Sequence, residues 1–156
     1  VLPEAVVDEK ASILVGLDGR KMSKSYGNTI PLFEPEEALR KLIMRIKTNS
    51  LPPEAPKDPD ACTLFQIYQA FATAKEMAAI RERYIQGIGW GEIKQILFEY
   101  LNTRLSEPRQ RFQELLQAPD YIEQILKRGA ARAREHSVPF LYELRQAVGI
   151  RPLCKE

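Results

Sequence analysis

Five consecutive residues near the start of the chain combine cationic and hydroxyl side chains on a glycine-rich segment. They are Lys21, Met22, Ser23, Lys24 and Ser25, with Gly16, Gly19 and Gly27 around them. Glycine permits backbone angles that other residues avoid, so the segment is predicted to be a mobile loop. Ammonium and hydroxyl donors together suit a polyphosphate, whose oxygens accept hydrogen bonds and carry dispersed charge. The residue types predict a phosphate-binding loop or, in the plainer alternative, a solvated surface loop.

The elements that position this loop are predicted to be short strands before it and helices after it. Residues 5–7 and 13–15 are short apolar runs typical of buried strands, and no later segment resembles a partner strand. A lone strand cannot satisfy its backbone groups. We therefore expect a fragment whose sheet lies upstream.

Apolar residues recur at helical spacing after residue 33, which predicts a mainly α-helical body. The first helix is predicted to begin at Pro35. The second follows a stiff proline-rich linker and is capped by Asp60. The third spans about 75–86, and the fourth begins at Gly91 and is kinked or broken at Pro108.

Two further helices are predicted near the end of the chain. Asp120 is predicted to cap the first of them, and Pro139 to open the last, which ends at Gly149. The residues predicted to be buried by the first of these helices are Ile122, Ile125, Leu126, Ala130 and Ala133.

The composition limits the class of protein. The 156 residues are 44% hydrophobic and 28% charged, and the net charge of +2 excludes a strongly cationic nucleic-acid clamp. Cys62 and Cys154 are too few for a disulfide framework and lack metal-ligand spacing, so no metal site is predicted. Two cysteines and the lack of a long apolar run favour a soluble, cytoplasmic protein.

The loop resembles a known signature. Residues 21–25 are identical to the KMSKS signature of class I aminoacyl-tRNA synthetases, and 26–30 resemble the extension that follows it in several of these enzymes. Residues 16–20 and 31–33 resemble one bacterial branch of the tryptophanyl-tRNA synthetases. Residues 46–50 and 129–133 resemble the same branch less closely, so the resemblance extends over nearly the whole chain.

The resemblance implies a C-terminal fragment with two parts. Residues 1–33 would end a catalytic nucleotide-binding domain, with a short strand and the KMSKS loop detached from an upstream Rossmann-like α/β fold. Residues 34–156 would form an α-helical bundle of the anticodon-binding type. The upstream half would hold the His-x-Gly-His segment, and the only histidine here is His136. The fragment alone is therefore predicted to be inactive.

The resemblance also implies substrates, partners and roles. The parent enzyme would activate tryptophan with ATP, with Mg²⁺ expected, transfer it to tryptophan tRNA, and form a homodimer. Lys24 is the main candidate for stabilising the leaving pyrophosphate, with Lys21 assisting. Met22, Ser23 and Ser25 complete the implied ATP-binding segment, and the resemblance implies that Gly16, Gly19 and Gly27 are its hinges.

Two basic groups are candidates for tRNA binding, and a solvated helix face is the alternative for each. Lys127, Arg128, Arg132 and Arg134 lie opposite the apolar face of their predicted helix, and Arg104, Arg109 and Arg111 surround Pro108.

Two rival functions are also consistent with the sequence. One is a fragment of another class I synthetase, specific for cysteine or methionine, and the other is a non-catalytic helical module that binds tRNA or protein.

Overall fold

The computed structural model describes residues 2–6 and 13–150, and within them the chain is mainly helical, as predicted. A 3₁₀ turn at Lys24–Tyr26 precedes five α-helices. The helices are α1 (Glu36–Met44), α2 (Thr63–Gln69), α3 (Ala74–Gln86), α4 (Trp90–Leu116) and α5 (Pro119–Ala147). No helix in this part of the chain is long and apolar enough to cross a membrane.

The short strand predicted before the loop is wrong for the residues that the structure describes. Val15 forms a single antiparallel bridge with Lys21, because the chain turns back on itself directly after Val15 and offers no further partner. Ala5 and Val6 are exposed coil, and Val7 lies outside the described residues. The expectation of an upstream sheet stays a prediction.

Two predicted helix starts are corrected. Pro35 occupies the N-cap of α1 rather than its first turn, and Cys62, not Asp60, occupies the N-cap of α2. The Asp60 carboxylate is instead held by both terminal nitrogens of Arg81, at 2.8 and 2.7 Å. That bidentate pair engages both carboxylate oxygens of Asp60, which therefore do not cap α2. Gly87 ends α3 as predicted.

The later prolines do not break their helices. Pro108 lies inside α4 and Pro139 inside α5, so the separate last helix predicted from Pro139 is wrong. Both prolines are exposed, so water can satisfy the carbonyl groups that lose their intrahelical donors. Ala118 is the N-cap of α5, and Asp120 lies in its first turn instead of capping it.

One compact unit comprises residues 1–110 and contains the hydrophobic core. Leu39 and Ile43 of α1 are almost fully buried, as is Leu97 of α4. Val15, Leu17 and Ile30 pack against this core at the two ends of the KMSKS segment. The helical core therefore anchors both ends of the loop.

A buried lysine holds the proline-rich linker between α1 and α2. The Lys57 side chain is 3% exposed. Its ammonium donates to the carbonyls of Pro52, Pro53 and Ala55 at 2.9, 3.1 and 2.9 Å. It also lies 5.3 Å from the centre of the Trp90 ring. Because proline provides no backbone N–H, this side chain supplies donors that the linker itself lacks.

The second compact unit comprises residues 111–156 and contains α5. The burial predicted for its apolar face is wrong, since no residue of α5 is buried. Ile125 and Leu126 are 42% and 66% exposed. Besides α5 this unit holds only the end of α4 among its described helices, which is too little apolar surface to form a core. Cys154 lies outside the described residues.

Candidate active site

The segment before the signature folds back tightly on itself. The Gly16 amide donates to the Arg20 carbonyl at 2.7 Å, and the Met22 amide donates to the Leu14 carbonyl at 2.8 Å. Gly19 has a φ of 82°, a left-handed conformation that favours glycine at this bend. These contacts bring the start of the signature beside the end of the preceding apolar run.

A short turn then sets the direction of the second signature lysine. Ser23 caps the 3₁₀ turn, and its hydroxyl oxygen accepts from the Ser25 amide at 3.3 Å. Gly27 ends the turn with a φ of 60°, and its amide donates to the Lys24 carbonyl at 3.2 Å. Lys24 therefore begins a turn that is closed at both ends.

Only one of the three loop cations is neutralised within the loop. Arg20 pairs with Asp18 at 2.7 Å and stacks 4.6 Å from the centre of the Tyr26 ring. Lys21 and Lys24 are exposed, and neither ammonium has a hydrogen-bonding or ionic partner among residues 2–6 and 13–150. Two exposed cations with serine hydroxyls beside them can bind a polyanion.

Asn28 is the residue of this site that the sequence patterns did not single out. It is 3% exposed, and its side-chain oxygen accepts from the Ser23 amide at 2.8 Å. Its side-chain nitrogen donates to the Asp18 carboxylate at 2.8 Å and to the Lys21 carbonyl at 3.2 Å. The pKa of the Asp18 carboxyl is held well below its usual range, chiefly by the hydrogen bond from the Asn28 amide and next by that from the Arg20 guanidinium. No periodic or compositional pattern marks Asn28, because its partners lie five to ten residues away along the chain.

The three glycines of the predicted loop differ in what requires them. Gly19 and Gly27 have left-handed backbone angles. At Gly16 a Cβ atom would lie 2.5 Å from the Asn28 side chain, so close packing demands glycine there. Their role as hinges stays a prediction.

A cavity of about 400 Å³ lies beside the loop. Its lining includes Asp18, Gly19, Lys47, Asn49 and Trp90. The loop thus borders a concave surface of mixed charge. The described residues contain no group of three His, Cys, Asp or Glu side chains that could hold a metal ion.

Three of the candidate tRNA-binding cations are already paired with carboxylates. Arg104 pairs with Glu76 at 3.1 Å, Arg111 with Glu114 at 3.0 Å and Lys127 with Glu123 at 2.7 Å. Each pair is largely exposed, so it contributes little to the stability of the fold. It does weaken the positive electrostatic potential that these cations would offer to a phosphate.

The other four candidates are less neutralised. Arg109 donates to the Asn102 side chain at 2.9 Å. Arg128, Arg132 and Arg134 of α5 are exposed and have no hydrogen-bonding or ionic partner among the described residues. Arg104 and Arg109 belong to the first compact unit, and the remaining five candidates belong to the second.

Comparison with known proteins identifies the family of the chain. Residues 2–106 match the family described as tRNA synthetases class I (W and Y). The chain belongs to this class I tRNA synthetase family. The match includes the KMSKS loop and most of α4. It favours the tryptophan and tyrosine group over the cysteine and methionine alternatives.

Curated relatives in the same family are tryptophan–tRNA ligases. The chain is 55% identical to the Pseudomonas aeruginosa enzyme over 153 residues, which are 98% of this chain and 34% of that protein. It is 49% identical to the enzyme of Neisseria meningitidis serogroup A, covering 97% of this chain and 45% of that protein. The chain therefore spans between a third and a half of these relatives.

A solved structure shows the same fold. The tryptophanyl-tRNA synthetase of Campylobacter jejuni, complexed with ADP and tryptophan, has a TM-score of 0.81 and 38% sequence identity. The match covers 95% of this chain and 47% of the Campylobacter chain. The resemblance stated from the signature is thus confirmed at the level of the family.

Proposed function

We propose that this chain is the C-terminal part of a tryptophan–tRNA ligase. It would supply the KMSKS loop for the activation of tryptophan with ATP and the helical domain that binds the tRNA. The observation that carries the proposal concerns Lys21 and Lys24 of the signature loop, whose ammonium groups have no partner among the described residues. The identity of 55% to a tryptophan–tRNA ligase supports the same amino acid as substrate.

The proposed chemistry follows from where charge develops. When the tryptophan carboxylate attacks the α-phosphorus of ATP, negative charge grows on the departing pyrophosphate. Lys24 would reach those oxygens from its turn, with Lys21 assisting. A cation that binds the leaving group more strongly in the transition state than in bound ATP raises the rate. Loss of one such preorganised group typically costs about a hundredfold or more in rate.

The hydroxyl groups of the loop would complete the phosphate site. The Ser23 oxygen already accepts one hydrogen bond, from the Ser25 amide at 3.3 Å, and its own hydrogen is available for phosphate. The exposed Ser25 hydroxyl would be a second donor. Magnesium is implied with ATP, and because the described residues contain no cluster of metal ligands, we name no ligand for the ion among them.

The tRNA would be bound by exposed arginines of the helical part. We favour Arg128, Arg132 and Arg134, because no described carboxylate neutralises them. Arg104, Arg111 and Lys127 would first have to exchange their carboxylate partners for phosphate. A homodimeric parent and a cytoplasmic location are predictions from the family resemblance alone.

The catalytic proposal is tested by tryptophan-dependent ATP–pyrophosphate exchange in the full-length enzyme that carries this segment. Lys24→Ala is expected to lower kcat by about a hundredfold and Lys21→Ala by less, since each removes a cation from the leaving group. Lys41→Ala, at an exposed lysine on α1, is the matched control and should retain full activity. A Lys24→Ala enzyme as active as wild type would refute the catalytic role of Lys24.

The tRNA proposal is tested by filter binding at two salt concentrations. Transcripts of tryptophan tRNA with natural and altered anticodons are compared, using wild type and an Arg128→Ala, Arg132→Ala, Arg134→Ala triple variant. The triple variant should bind more weakly and show a shallower salt dependence, because fewer counterions are released. Unchanged binding by the triple variant would refute the arginine assignment.

The 156-residue chain by itself is expected to support no pyrophosphate exchange.

A further inference from the structure

Asn28 is one of two buried polar or charged residues within the described part of the chain, and it lies at the base of the signature loop. Its side-chain oxygen and both hydrogens of its side-chain nitrogen are engaged, by Ser23, Asp18 and Lys21 respectively. Its backbone carbonyl accepts from the Leu17 amide at 3.0 Å. One residue thus joins the segment before the signature to the segment after it.

The atoms that Asn28 holds belong to the backbone on both sides of Met22. The Lys21 carbonyl lies 3.2 Å from its nitrogen, and the Ser23 amide lies 2.8 Å from its oxygen. Ser23 is also the cap of the turn that begins at Lys24. The backbone positions from which both lysines project are therefore fixed by Asn28, although the lysine side chains themselves are exposed.

We propose that Asn28 is a positioning residue for the signature lysines. It holds the backbone from which Lys21 and Lys24 reach the polyphosphate, so that their ammonium groups need little reorganisation when charge develops on the leaving group. Asp18 supports it by accepting one of its hydrogens while binding Arg20 with the other carboxylate oxygen. This proposal rests on the function proposed above.

The first test is a double-mutant cycle in the full-length enzyme, read by pyrophosphate exchange. Asn28→Ala is expected to lower kcat by about tenfold or more while the KM for tryptophan changes less than about twofold. If Asn28 acts through the two signature lysines, the same substitution in a Lys21→Ala, Lys24→Ala background should cost less than about twofold. Costs that simply multiply would overturn the proposal, because they would show that Asn28 acts independently of both lysines.

The second test measures the loop without reference to catalysis. Hydrogen–deuterium exchange of the segment 16–28 in the same full-length enzyme should be faster in Asn28→Ala than in wild type. The control is Gln86→Ala on α3, an exposed amide side chain whose nitrogen donates to Glu82 at 3.0 Å. It should leave both exchange and kcat unchanged. Unchanged exchange in Asn28→Ala would overturn the proposal even if its kcat fell.

A near-isosteric variant keeps the proposal testable if Asn28→Ala does not fold. Asn28→Asp keeps the size and the acceptor for Ser23, but it loses both donors and places a carboxylate against Asp18. It is expected to lower kcat like Asn28→Ala, and wild-type kcat in this variant would overturn the role of the donors. A fully active Lys24→Ala enzyme would refute the proposed catalytic role of Lys24 and this proposal with it, whereas the other adverse results refute only the role of Asn28.

Discussion

The hydroxyl of Tyr100 donates to a carboxylate oxygen of Glu76 at 2.9 Å, which ties α4 to the first turn of α3. Glu76 also closes a capping box, because the Thr73 amide donates to its carboxylate at 2.7 Å and the Glu76 amide donates to the Thr73 hydroxyl oxygen at 3.4 Å. The Thr73 hydroxyl donates to the same carboxylate at 2.7 Å. Arg104 approaches the same carboxylate at 3.1 Å. A single side chain therefore serves as helix cap and as a junction between two helices.

This junction predicts a pH-dependent contribution to stability. The backbone amide of Thr73, then its hydroxyl, Tyr100 and Arg104, lower the pKa of Glu76 from 4.5 to about 2. Because the folded-state pKa is depressed, the stabilisation is present above the unfolded pKa and is lost as the pH falls through about 2. Glu76→Gln should therefore be less stable than wild type at neutral pH, and the difference should shrink near pH 2.

Urea unfolding followed by circular dichroism, at neutral pH and at several acidic values, measures that difference. Glu99→Gln on the exposed face of α4 is the control, since it changes the same charge outside the capping box. A stability gap between Glu76→Gln and wild type that stays constant down to pH 2 would contradict the assignment.

Lys57 makes a second prediction, about the proline-rich linker. Lys57→Met removes the donor shared by three carbonyls and leaves them near a buried apolar chain. An unsatisfied buried polar group typically costs about 1–3 kcal/mol, so the free energy of unfolding should fall by about that amount. Lys41→Met makes the same chemical change on the surface and is expected to have an effect below about 0.5 kcal/mol. Equal effects of the two substitutions would show that Lys57 does not stabilise the linker.

The contrast between the core and α5 makes a third prediction. Ile43 is 0% exposed and Leu126 is 66% exposed. Ile43→Ala is expected to lower the free energy of unfolding by about 2–5 kcal/mol, through lost burial and the cavity left behind. Leu126→Ala should cost less than about 0.5 kcal/mol in the 156-residue chain. A large cost at Leu126, measured by urea unfolding, would mean that α5 is covered in solution.

The close packing of Gly16 against Asn28 leads to a fourth prediction. Gly16→Ala places a Cβ atom 2.5 Å from Asn28 and should displace that side chain, which lowers stability by about 1–3 kcal/mol. Gly91→Ala is the control, because Gly91 lies in α4 with open space around it. Alanine is favoured over glycine within a helix, so Gly91→Ala should be neutral or stabilising by up to about 1 kcal/mol. Thermal unfolding of both variants separates the two effects, and a neutral Gly16→Ala would contradict the packing.

The sequence predicted the features that depend on local chemistry. Helix α3 was expected at about 75–86 and spans Ala74–Gln86, because its apolar spacing and Gly87 act over a few residues. The exposure of Lys21 and Lys24 also follows from charge. The burial of Asn28 could not be predicted, because it depends on a hydrogen bond to Asp18 ten residues away rather than on any periodic pattern.

The errors have a common cause. Asp120 and Pro139 carry strong local signals, for a cap and a helix start, yet the chain follows a continuous helix at both positions. The apolar spacing around Ile125 predicted burial, but spacing shows which face is apolar and not whether another element covers it. Periodicity therefore predicted the helix and not its surroundings.

The hydrogen bonds of Asn28 also have a consequence for the order of folding. Those of its side chain connect residues separated by five, seven and ten positions, whereas the bond from Lys94 to the Met44 carbonyl connects residues 50 positions apart. A segment of ten residues closes in about 10–100 ns, and closing a longer segment costs more conformational entropy before its contacts can form. The signature loop is therefore expected to reach its native shape among the earliest events on the folding pathway, ahead of the assembly of the helices that support it.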